Sequence, residues 1–150
     1  MAALQKLASA YLVLVAAAVA VFFAINPFLL GSINVPTIWL VLDALMLIGL
    51  AIALVFNYSR KSAEGGRDPG EPVTRRYLEV NTAFFLTAGV TILFLHNWFS
   101  LLALGAEQSL GGGGAPLNHQ AWVIWAVVDT LLPLTLGVTG CRVWQASSES

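Results

Sequence analysis

The sequence is short of charge, cysteine and histidine, and each shortage closes off a class of protein. Charged residues make up 10% of the 150, against about 25% in soluble domains. One cysteine, Cys141, excludes an internal disulfide framework and any Cys-x-x-Cys pair. That removes quinone-linked, disulfide-forming membrane enzymes and disfavours tetraspanin-like loops. Two histidines, with only His96 in an apolar run, are too few for a bis-histidine haem bundle. A net charge of −1 leaves no basic excess to neutralise phosphates, so nucleic acid is not an expected partner.

What the chain has is apolar surface. Hydrophobic residues reach 58% and mean hydropathy is +0.80. A soluble fold of this size has too little interior to hide so much, and lipid is the solvent that resolves the mismatch. Residues 7–42 contain no charge, too long a stretch for one span of about 20 residues. Asn26-Pro27, Gly31-Ser32 and Pro36 divide it. The pattern predicts an all-α integral membrane four-helix bundle, a single domain over 1–150, with spans at about 7–25, 37–56, 79–104 and 120–143. Span one is read as a retained helix and not a cleaved signal, because its apolar run is nearly as long as a full span.

Orientation follows from Lys and Arg. Lys6 precedes span one, Arg60, Lys61, Arg67, Arg75 and Arg76 lie between spans two and three, and Arg142 ends span four. With four spans these regions share one face, and the opposite loops carry no Lys or Arg. The basic face is expected in the cytoplasm with both termini, N-in and C-in, in a bacterial inner (plasma) membrane. Trp39, Trp98 and Trp122 toward the outer ends, with Tyr58, Tyr77 and Trp144 at the inner ends, suit the two headgroup regions.

The cytoplasmic loop, about 59–74, reads as a solvated connector whose basic residues set orientation and do not mark a lipid site. The outer loop, about 105–119, contains the flexible tract Gly111–Gly114. No strand precedes this tract and no Lys-Ser/Thr follows, so it is not a phosphate loop. No internal repeat stands out.

The chemistry, if any, lies in polar residues within the spans. An Asp near a helix centre costs about 2.5–3.5 kcal/mol to insert, so such acids mark functional sites by default. Asp43 lies about 5 Å, Asp129 about 4 Å and His96 about 7 Å outward of the middle of their spans, at about 1.5 Å per residue. Asn97 is beside the histidine. Pro133 lacks an amide hydrogen and frees the carbonyl four residues back, which belongs to Asp129. Trp122, Trp125, Asp129, Pro133, Leu136 and Gly140 share one helical face that is expected to meet protein.

Four readings compete for Asp43, His96, Asn97, Asp129 and Pro133. In order they are interhelical hydrogen bonding, a charge contact with another subunit, proton or cation conduction, and a metal site using Asp43, His96 and Asp129. Metal ranks last because no ligands recur at the i, i+3 spacing that builds bundle sites. Glu79, near Arg75 and Arg76 at a helix start, is read as structural. Ser100, four residues after His96, has no oxyanion device and is not read as a nucleophile. Small residues at Ala16, Ala17, Ala18 and Ala20, at Ala83, Thr87 and Thr91, and at Gly137 and Cys141 permit close helix approach. Cys141 is expected to be a buried inert thiol.

No catalytic set or cofactor motif is present, so the chain is not read as an enzyme and no cofactor is expected. The leading expectation is a non-catalytic accessory subunit of a larger membrane complex, such as a membrane-bound monooxygenase or respiratory oxidoreductase. Its partners would be other integral membrane subunits and lipids. The runner-up is a small homo-oligomeric proton- or cation-coupled transporter or channel using Asp43 and Asp129. Small four-span multidrug exporters carry their coupling acid in span one, and span one here has none.

Overall fold

The computed structural model describes residues 2–29, 33–64, 70, 72–110 and 119–148. They form four helices: α1 (Ala2–Leu29), α2 (Val35–Glu64), α3 (Arg75–Leu110) and α4 (His119–Ser148). All four are long and apolar enough to cross a membrane. The tract Gly111–Gly114 lies outside the described residues.

The helices start where the sequence offers caps. The Thr37 amide donates to Asn34 Oδ1 (3.2 Å), and Pro36 sits in the first turn of α2, where a missing N–H costs nothing. The Tyr77 amide donates to Thr74 Oγ1 (3.1 Å) at the start of α3. A helical break at Gly105 (φ 75°, ψ 161°) falls where span three was expected to end.

Elsewhere the helices outrun the spans. Asn26-Pro27 does not end α1, which continues to Leu29. Pro27 deprives the Phe23 carbonyl of its amide partner, and Asn26 Nδ2 donates to that oxygen instead (2.8 Å). α2 continues through residues 59–64, assigned from sequence to the loop. Its last residue explains part of this, because Arg76 Nε reaches Glu64 Oε2 at 2.7 Å and ties α2 to α3.

Each helix packs on the next in chain order and α4 returns to α1. Among the described residues the backbones of α1 and α3 stay apart, whereas those of α2 and α4 approach across the centre. The closest pair is α1 with α4, and small residues are the reason. A Cβ added to Gly140 would stand 2.8 Å from Val13 Cγ2 and 3.1 Å from the Ser9 carbonyl oxygen. Ser9 Oγ also donates to the Gly140 carbonyl at 2.6 Å. Farther along the seam Gly137 faces Ala16. The expected partner of Gly137, Cys141, is exposed and not buried: it lies about 100° round the helix from Gly140. Ala17, Ala18 and Ala20 likewise face outward.

The core is a column of Leu12, Met46, Leu50, Phe94, Leu132 and Leu136, all without exposed surface. The described basic residues gather at one end. There Glu79 pairs with Arg75 (2.8 Å) and Arg142 (3.6 Å), and Lys61 lies over Phe84 and Phe85 at 4.5 and 4.2 Å. Glu79 is therefore a clasp between α3 and α4, as a structural reading requires.

Candidate functional site

Two polar groups interrupt the apolar column, and they differ in one decisive respect. In the half near the basic end, Asn57 Nδ2 of α2 donates to Thr87 Oγ1 of α3 (2.9 Å) and to Thr139 Oγ1 of α4 (3.0 Å). Both donors of the amide are used. Thr87 passes its own proton to the Ala83 carbonyl (2.7 Å). This is a closed knot joining three helices.

The second group is open. Asp43 and Asn97 are each 3% exposed and Asp129 is 6% exposed. Asp43 Oδ1, Asn97 Nδ2 and Asp129 Oδ1 are buried without a hydrogen-bond partner. Asp43 and Asp129 lie on α2 and α4, the two helices that meet across the centre. Among the described residues the ion pairs are those of Glu64 and Glu79 at the basic end, and neither buried acid is in one. Polar groups in a water-poor interior are normally hydrogen-bonded, so the orphaned carboxylate oxygens set these two acids apart from the Asn57 knot.

Aromatic rings stand on the side of this group away from the basic end. Trp39 and Trp125 each precede one of the acids by four residues, one helical turn. Trp39 meets Phe22 of α1 edge-on (5.1 Å between centroids), and Phe94 meets Trp98 (5.8 Å) and Trp125 (6.0 Å). Below the acids, Met46, Leu50, Leu132 and Leu136 seal the interior. From α1, Tyr11 donates its hydroxyl to the Leu45 carbonyl (2.8 Å), two residues from Asp43.

His96 does not join them. It is on the exposed side of α3, one residue round from buried Asn97, and among the described residues no His, Cys, Asp and Glu gather into a metal-holding group. Of the three residues weighed as metal ligands, Asp43 and Asp129 are buried and His96 is exposed, and its neighbour Asn97 is on the interior face of α3. Pro133 lies within α4 and is half-buried. The predicted protein-facing side of α4 is buried at Asp129, Leu136 and Gly140 but leaves Trp122 60% exposed. A groove of about 340 Å³ between α3 and α4, with Glu79 and Arg142 among its lining residues, belongs to the opposite half and does not reach the acids.

Sequence reasoning missed two things. Asn57 was placed just beyond span two, yet Asp43, Met46, Leu50, Ala53 and Asn57 recur at alternating three- and four-residue steps and are all buried. Extending that stripe by one step finds it. The second is a repeat. Ile38-Trp39-Leu40-Val41-Leu42-Asp43-Ala44-Leu45 and Ile124-Trp125-Ala126-Val127-Val128-Asp129-Thr130-Leu131 are identical at five of eight positions. The stripe below Asp43 has its counterpart in Asp129, Leu132, Leu136, Thr139 and Val143, again all buried. The two segments lie on α2 and α4, the helices that meet at the centre, so the acids are equivalent residues of two matching helices.

No protein-family model, curated protein or solved structure matches the chain.

Proposed function

We propose that the chain is a non-catalytic subunit of a larger bacterial inner-membrane assembly, oriented with its basic end and both termini in the cytoplasm. One observation carries the reading, the outward face of α3. Phe85, Gly89, Ile92, His96 and Phe99 are all exposed and follow one another at three- and four-residue steps. α3 is also the least buried of the four apolar spans. An imidazole on a spanning helix is costly against lipid and is normally turned toward protein or water. An added Cβ at Gly89 would meet nothing within 4 Å, so its smallness serves no packing inside this bundle. Both features suit a neighbouring transmembrane helix, where small residues permit close approach and a polar side chain bonds across the interface.

The test is native mass spectrometry of the chain tagged at its own locus and extracted gently from its own membranes. Larger subunits in fixed stoichiometry are expected, with their loss on Gly89→Ile. Recovery of the chain with only itself and lipid overturns the proposal.

A second reading is favoured by a different observation, the burial of both acids inside the chain's own bundle. A small homo-oligomeric carrier or channel would use Asp43 and Asp129 to pass protons or cations, with the α3 face joining copies. Reconstituted in vesicles, it would carry a proton or sodium flux that Asp43→Asn and Asp129→Asn each abolish while the protein stays inserted. A wild type that moves neither ion sinks this reading.

A further inference from the structure

Asp43 and Asp129 come from matching segments of the two helices that meet at the centre, and among the described residues neither is in an ion pair. Each keeps a buried carboxylate oxygen unused. The Asn57 knot shows that this bundle can use both donors of a buried amide where its role is to hold helices together. The geometry points to a binding site for small monovalent cations at Asp43 and Asp129, a proton on one carboxyl leaving a single carboxylate for either a second proton or a dehydrated ion of sodium's size.

The ligand's class follows from the donor set and its surroundings. A buried carboxylate with no basic partner requires a neutralising proton or a cation. Carboxylate oxygens are hard ligands suited to hard cations. Calcium takes about six to eight oxygen ligands and magnesium keeps a near-octahedral shell; the four oxygens of two carboxyl groups fall short of either. Trp39 and Trp125 lie one turn outward of the acids and Met46 and Leu132 about one turn inward, all packed in the core, surroundings that favour a small ligand. α1 contributes no charge at this level, since its Tyr11 hydroxyl is engaged with the Leu45 carbonyl. The inference concerns binding and not flux, so it stands apart from the choice between the two functional readings.

The experiment is thermal unfolding of the full chain in detergent micelles, titrated with sodium against a choline background and, separately, with pH. A cation bound only to the folded bundle stabilises it in proportion to the logarithm of ion concentration once the site is occupied. A rise with sodium that is competed by protons identifies the metal ion. A rise with acidity and no response to sodium identifies the proton. Either response is expected to disappear in Asp43→Asn/Asp129→Asn and to persist in Glu79→Gln, which alters the exposed clasp alone. If the double variant does not accumulate, Asp43→Asn and Asp129→Asn are read singly. Each is expected to need about tenfold more ion, the effect of losing one charged ligand. A wild type indifferent to both ions, or variants that follow its titrations unchanged, overturns the inference.

Discussion

Gly140 and Gly137 lie three residues apart on α4, in the same seam against α1, and the structure separates them sharply. A methyl group at Gly140 would sit 2.8 Å from Val13 Cγ2, 3.1 Å from the Ser9 carbonyl oxygen and 3.2 Å from Leu12 Cβ. A methyl group at Gly137 would meet Ala16 Cβ at 3.7 Å, an ordinary contact. Replacing glycine by alanine inside a helix gains about 1 kcal/mol of propensity at either position. The difference between the two variants therefore isolates the steric cost. Val13 can turn its methyl aside, but the Ser9 carbonyl is backbone and can retreat only by moving α1. Such overpacking costs about 1–3 kcal/mol, and moving α1 also lengthens the 2.6 Å Ser9–Gly140 hydrogen bond. Gly140→Ala is expected to be less stable than Gly137→Ala by about 1–3 kcal/mol, measured by denaturant unfolding in mixed micelles with helical circular dichroism. Equal stability of the two variants would refute the close α1–α4 approach and with it the account of why these helices pack tightest.

The Asn57 knot gives a second test: Asn57→Leu removes two interhelical hydrogen bonds, each worth on average about 0.6 kcal/mol within a membrane bundle. A loss of roughly 1 kcal/mol in the same unfolding assay is expected, and a loss near zero would mean that the knot does not hold the helices. At the basic end, Glu64→Gln breaks the pair with Arg76, whose side chain is 77% exposed. Such exposed pairs contribute at most about 1 kcal/mol, so near-wild-type stability that is insensitive to added salt is expected. On α3, a cysteine at Ile92 in a Cys141→Ser background, labelled with a thiol-reactive benzophenone and irradiated, is expected to cross-link to a neighbouring subunit in native membranes, read as a shifted band. A cysteine at Val138, exposed on α4, is not; equal yields at both positions would contradict a specific α3 contact.

How much of this was legible beforehand depended on what kind of interaction each feature obeys. The number of spanning helices and their approximate limits follow from burying apolar side chains in lipid, a property of composition along the chain that needs no neighbour. The gathering of basic residues at one end follows from the helix count by parity. Asp43 and Asp129 were recognisable as costly in any arrangement, because insertion penalises an acid whatever surrounds it. Helix ends were less legible: Asn26 rescues the Phe23 carbonyl across Pro27, and Glu64 finds Arg76 on another helix.

Rotation of each helix about its axis was decided only by tertiary packing, because a segment apolar on all sides carries little amphipathic signal to orient it. His96 and Asn97 are adjacent in sequence, yet packing turned the amide inward and the imidazole outward. Cys141 and Gly140 were separated in the same way, the glycine against Ser9 and the thiol outside. The sequence by itself determined a four-span apolar bundle carrying two expensive acids, since hydrophobic burial and the cost of charge act on each residue alone. Only the tertiary structure decided that both acids face one interior while the histidine does not, because that depends on which small residues let which helices approach.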